Sequence, residues 1–182
     1  VCAIGRWHNL TLIAWHAQAT GSAVARVARF TRTVCEEFPG GFSNIHLIHS
    51  SAPLPTAEAR AGFVEMMNRH RDTLRNVAIV LAGSGFRAST MRSAITAMRF
   101  LAPRSFEMRI HREASEILPW LPAAHARATG VELPRASLHR LLTEAEQTNA
   151  SAVPANNQDS LRPGQSLDVT ATATQRPEEP KR

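Results

Sequence analysis

Tyrosine is absent from this sequence, lysine occurs once and cysteine twice. Cys2 and Cys35 form no C-x-x-C and no metal-like spacing, which excludes a framework of paired cysteines. Both read as buried thiols of a reduced compartment, so the cytoplasm is the expected location. Aspartate is scarce. Before Asn149 only Asp72 is present, at the end of an expected helix. A nucleophile that needs a base oriented by an acid has little to draw on. With no tyrosine and aromatics at 5%, the stacking platforms of nucleic-acid grooves are missing, and nucleic acid is not an expected partner. No apolar run approaches the roughly 18 residues of a membrane span. The opening stretch, Val1 to Leu12, is broken by Arg6, His8 and Asn9 and has no signal-peptide core.

What is present is enough apolar material for a core, 43% of the chain, and a net charge of +6 carried almost wholly by arginine. The stretch from Asn149 onward holds four acids and four bases, so the whole excess lies before it. Arginine forks suit carboxylate and phosphate partners, although a uniform preference for arginine also follows from a GC-rich coding sequence.

Along the chain, strands alternate with helices. Cys2–Trp7 and Leu10–Trp15, separated by His8-Asn9, predict a hairpin. Gly21–Phe38 has helical period, with Val24, Val27, Thr31 and Val34 on one stripe and Arg26, Arg29 and Arg32 outside it. Asn44–His49 is a third strand. Thr56 caps a helix running to about Asp72 that buries Phe63, Val64 and Met67. Asn76–Ala82 has the continuous apolar run of a strand covered on both faces. Arg87–Ala102 follows as a helix with Met91, Ile95, Met98 and Ala102 inward, and Phe106–His111 is the fifth strand. Glu113–Leu121 has one more helical face, interrupted by Pro119. The order β, β, α, β, α, β, α, β, α predicts an α/β fold with a mostly parallel sheet, helices packed on it and an antiparallel N-terminal hairpin. Residues 1–122 are expected to form this domain. Residues 123–148 are expected to hold a linker and an amphipathic helix, Leu133–Gln147, with Leu138, Leu141, Leu142 and Ala145 on one face. The polar stretch 149–182 is expected to be a disordered tail.

The hairpin around Arg6-Trp7-His8-Asn9, the loop Ala52-Pro53-Leu54-Pro55 with Glu58-Ala59-Arg60, the turn Gly83-Ser84-Gly85-Phe86-Arg87, and the closing Glu113–Leu121 segment together resemble the SpoIIAA-like fold. STAS domains and the Sec14-type lipid-binding group share that fold, and the likeness is to bacterial STAS-like proteins of unknown function. The resemblance implies a non-catalytic regulatory domain that acts by contact with a protein partner. It also offers an alternative, a carrier for a small apolar or anionic ligand such as a lipid or nucleotide at the carboxyl end of the sheet. STAS antagonists are switched by phosphorylation of a serine preceded by aspartate. Here the corresponding strand ends in His49-Ser50-Ser51, and Ser84 has no aspartate before it either.

The residues suggest few sites. Gly83, Ser84, Gly85 and Arg87 form a strand-to-helix turn suited to an anion, with Ser84 as the candidate phosphoacceptor. A tight turn that needs glycine explains the same residues. It is neither a P-loop nor a dinucleotide fingerprint. Arg26, Arg29 and Arg32 are the candidate partner face, or simply a solvated one. Trp7, Trp15 and Trp120 are expected as core or rim anchors, or as the lining of an apolar pocket. The eight histidines have no metal-like spacing and are expected at the surface or at strand ends. Nothing in the pattern requires a cofactor or a metal.

Overall fold

The two-residue break at His8-Asn9 closes the hairpin as the pattern predicts, in a computed structural model that describes residues 2–101 and 105–151. Strands β1 (Cys2–Trp7) and β2 (Leu10–Trp15) pair antiparallel, from Cys2 opposite Trp15 to Trp7 opposite Leu10. His8 takes a left-handed φ of 51° in the turn. Strands β3 (Phe42–Ile48), β4 (Leu74–Leu81) and β5 (Glu107–His111) then add in parallel, and the sheet order is β1-β2-β3-β4-β5. This is the mostly parallel α/β sheet with an N-terminal hairpin expected of a SpoIIAA-like fold.

Three helices follow from the crossovers: α1 (Gly21–Glu37), α2 (Ala57–Arg69) and α3 (Gly85–Leu101). They cover one face, burying Val24, Val27, Val34, Met67, Met91 and Ile95 against Ile13, Trp15, Val77 and Ile79. Thr20 and Thr56 cap α1 and α2, each accepting from the N–H three residues on, at 3.3 and 3.1 Å. Replacing Thr56 by alanine is expected to lower the unfolding free energy by about 1 kcal/mol, read from urea melts.

The other face holds the main departures from expectation. Glu113–Leu121 is not one helix. A 3₁₀ turn at Ala114–Ile117 ends before Pro119, which has no N–H to continue it. A new helix, α4 (Leu121–Thr129), then begins with Pro122 in its first turn, where the missing N–H costs nothing. The segment expected as linker therefore holds a helix, closed at Gly130. Beyond it α5 (Arg135–Ser151) buries Leu138 and Leu142, with Leu141 and Ala145 partly covered. Both helices pack on Leu12, Ala14, Ile45, Leu47, Ala78 and Val80, so their apolar faces complete the same core as the strands. Helix α5 continues through Asn149 to Ser151, past the expected start of the tail. The rest of that tail, 152–182, and Ala102, expected as an inward residue, lie outside the described residues. Smaller corrections concern boundaries: β4 starts at Leu74 rather than Asn76, and α3 at Gly85 rather than Arg87.

Candidate functional site

Strand alternation sends Trp15, Asn44, His46, Ile48, Val77, Ile79 and Met108 toward α2 and α3. Between the sheet and these helices is an apolar cavity of about 70 Å³. All five methionines of the chain line it: Met66 and Met67 from α2, Met91 and Met98 from α3, and Met108 from β5. At the carboxyl end of β2 and β3 the lining passes to Ala17, Ala19, Ala52, Pro53 and Pro55, and Ala17 and Pro53 are exposed. Met98 also lines a surface groove between α2 and α3, so one thioether forms part of the wall of both spaces. Methionine adapts its shape more readily than branched side chains, and a wall built from five of them can yield to a guest.

His46 is the main polar group of this lining. It is 7% exposed, in the middle of β3, where sequence placed histidines at the surface or at strand ends. Its ring lies nearly parallel to that of Trp15, and Phe63 meets both rings edge-on. The Trp15 indole N–H donates to His46 Nδ1 at 3.2 Å. Indole can only donate, so the neutral imidazole carries its proton on Nε2. Burial pushes the His46 pKa down to about 4, and at neutral pH the ring is uncharged. The cavity is thus uncharged, lined by thioethers and aromatic rings, with the His46 imidazole and the Asn44 amide, whose oxygen accepts from Thr11, as its polar groups.

A second buried histidine lies on the opposite face. His125 of α4 is fully buried. Its Nε2 is 2.9 Å from Asn9 Oδ1, and its Nδ1 is 2.8 Å from Ser43 Oγ. Asn76 Nδ2 donates to Ser43 Oγ at 3.0 Å, and Asn9 Nδ2 donates to the Gly41 carbonyl at 2.9 Å. These bonds run in one direction, Asn76 to Ser43 to His125 to Asn9 to Gly41, only if His125 is neutral. Burial pushes its pKa down to about 4. A serine, a histidine and an asparagine in line resemble a catalytic relay in outline. Here Ser43 is 0% and Asn9 2% exposed, so no substrate reaches the hydroxyl. The network fastens α4 to the amino ends of the strands. Sequence reasoning missed it because His125 fell in an expected linker and its partners lie 82 and 116 residues away.

Gly83, Ser84, Gly85 and Arg87 are all exposed and line neither the cavity nor the α2–α3 groove. Gly83 and Gly85 have φ of 96° and 84°, which accounts for glycine at both. Arg87 donates to the Ser51 carbonyl at 3.3 Å. The three arginines of α1 do not converge. Arg26 donates to the Cys2 carbonyl at 2.7 Å and ties α1 to β1. Arg29 and Arg32 line a separate groove of about 380 Å³ with Glu65, Arg69 and His70. Trp15 and Trp120 are buried, and Trp7 packs against the α4–α5 side.

Cys35 Sγ is 3.2 Å from His70 Nδ1 and accepts from Thr73 at 3.4 Å. Burial pushes the thiol up, and burial with the nearby Arg69 and Arg32 pushes the imidazole down. The pair is a neutral thiol beside a neutral ring, the opposite of an activated cysteine. Among the described residues no group of three or more histidine, cysteine or acidic side chains could hold a metal, and no helix is long and apolar enough to cross a membrane.

The chain is similar to a protein of SpoIIAA-like fold. That protein is an uncharacterized member of the DUF3478 family from Shewanella loihica PV-4, and its crystal structure matches at a TM-score of 0.47 and 13% identity. The match covers 66% of this chain and 92% of that one. No family profile and no curated protein matches the chain. The SpoIIAA-like neighbour is itself uncharacterized.

Proposed function

We propose that this SpoIIAA-like chain is a non-catalytic binding module, and that its ligand is a small molecule with an apolar body and a single polar end. The observation that carries this is the convergence of all five methionines on one cavity whose lining is uncharged and includes a neutral histidine. The apolar body fits among the thioethers, and the polar end accepts from His46 Nε2–H. At about 70 Å³ the space takes a group of a few heavy atoms, and longer chains require the methionines to move. The lining offers no cation to a phosphate, and the space is far smaller than a nucleotide, which narrows the ligand to the apolar class.

Native mass spectrometry of freshly purified chain, together with calorimetric titration of 1-hexanol, tests this. The expected result is a co-purified apolar mass or saturable hexanol binding, either of which Ile95→Phe, reaching into the cavity from α3, weakens by about tenfold. Clean apo protein that does not bind hexanol, or equal binding by a folded Ile95→Phe variant, contradicts the reading.

A second reading, a regulatory domain that contacts a protein, has support in a different place. Arg29, Arg32 and Arg69 face one groove, and Glu65 is the only acid lining it. An acidic segment of a partner matches that groove. Ser84 is exposed beside Arg87 and is open to a kinase. Under this reading Arg29→Glu with Arg32→Glu abolishes capture of the partner while leaving hexanol binding unchanged. Retained capture by that variant counts against it.

A further inference from the structure

Helix α3 buries one apolar face and exposes a second side that is apolar at its two ends, with small hydroxyl residues between them. The inner one buries Ala88, Met91 and Ile95. The outer one is exposed and carries the most exposed large apolar side chains among the described residues: Phe86 at 89%, Phe100 at 82% and Leu101 at 69%. Phe86, Ser93, Ala97 and Phe100 share one stripe by helical spacing, and all four are exposed. The stripe has no charge. Its middle is small, and its rings stand at both ends, about 21 Å apart along the axis.

The charge that α3 itself carries has one sign, and Glu65 of α2, which lines the groove shared with Ala97 and Leu101, is paired with Arg69. Helix α3 contains Arg87, Arg92 and Arg99 and no acid. Arg87 donates to the Ser51 carbonyl, and Arg92 to the carbonyls of Leu81 and Gly83. None of the three forms an ion pair among the described residues, so their charge is uncompensated. Exposed rings on a charge-free face with arginines beside it are the composition of a helix that lies in the plane of a membrane interface.

We propose that the outer face of α3 is a docking surface for a membrane rich in anionic lipid. Phe86, Phe100 and Leu101 enter the boundary between headgroups and acyl chains. The exposed Arg87 and Arg99 meet the lipid phosphates, and Arg92, held on the Leu81 and Gly83 carbonyls, adds its charge from behind. Two other occupants fit less well. A second copy of α3 laid against the first brings six arginines together with no carboxylate between the helices. A nucleic-acid backbone matches the arginines but leaves both rings and Leu101 in water. The surface does not depend on the cavity being filled, so the two readings fail separately.

Co-sedimentation of the full chain tests it, with vesicles of phosphatidylcholine alone and of phosphatidylcholine mixed with phosphatidylglycerol. The expected result is binding to the mixed vesicles at least about tenfold tighter than to neutral ones, weakening as salt rises. Phe86→Ser with Phe100→Ser is expected to reduce that binding by about tenfold or more. Both rings are exposed, so the melting temperature stays near that of the parent. Equal affinity for the two vesicle types, no sedimentation, or unchanged binding by the serine variant overturns the proposal. So does a dimer in solution, or a complex with duplex DNA, that the same double substitution abolishes.

Discussion

Replacing His125 by alanine is expected to lower the unfolding free energy by about 3 kcal/mol, among the largest effects of any single substitution in this chain. The side chain is fully buried and makes two hydrogen bonds, to Ser43 and Asn9. Its removal leaves a cavity between α4 and the sheet. It also leaves the Asn9 oxygen and the Ser43 hydroxyl without their partner, and an unsatisfied buried polar group costs more than the bond it loses. Urea melts measure the difference. Ser43→Ala, which keeps the imidazole in place, is expected to cost less. A loss below about 1 kcal/mol for His125→Ala means that the network does not hold α4 to the sheet.

Acid is the second large perturbation. Burial holds His46 and His125 at about 4 in the folded chain, against the ordinary 6.5 they recover on unfolding. Between those values the unfolded chain binds more protons than the folded one. Stability therefore falls as pH falls through that window and is restored above it. His70 and His111 are shifted in the same direction, His70 by burial and then Arg69 and Arg32, and His111 mainly by burial. The combined loss from neutral pH to about pH 4 is on the order of a few kcal/mol. Urea melts across this range read it directly, and His46→Phe is expected to flatten part of the slope. Stability independent of pH over the same interval shows that neither ring is held neutral by burial.

Both effects come from histidines, and they mark where the sequence stops being legible. The hairpin, the alternation of strands and helices, and the caps Thr20 and Thr56 depend on spacing within a few residues, and Thr56 was readable from position alone. The inward positions of Met67, Met91 and Met98 follow from helical period. That these meet Met66 and Met108 around one space does not, because it requires the parallel registers of β3, β4 and β5. His46 sits in an apolar strand, and only the hydrogen bond from Trp15 on the neighbouring strand shows why it can be buried there. Helix α4 escaped notice because Pro119, Pro122 and Gly130 punctuate a short segment and read as loop. The arginines of α1 share helical spacing, yet Arg26 is drawn to β1 and away from Arg29 and Arg32. The Gly83–Arg87 turn was legible as a turn, and its exposure depends on what packs around it.

Methyl-labelled methionine gives one NMR signal for each of Met66, Met67, Met91, Met98 and Met108, and a titration with 1-hexanol follows all five at once. The five signals are expected to shift together and saturate, and Ile95→Phe is expected to suppress the response. Signals that stay fixed, or a shift confined to Met98 at the surface groove, contradict the cavity as the binding site.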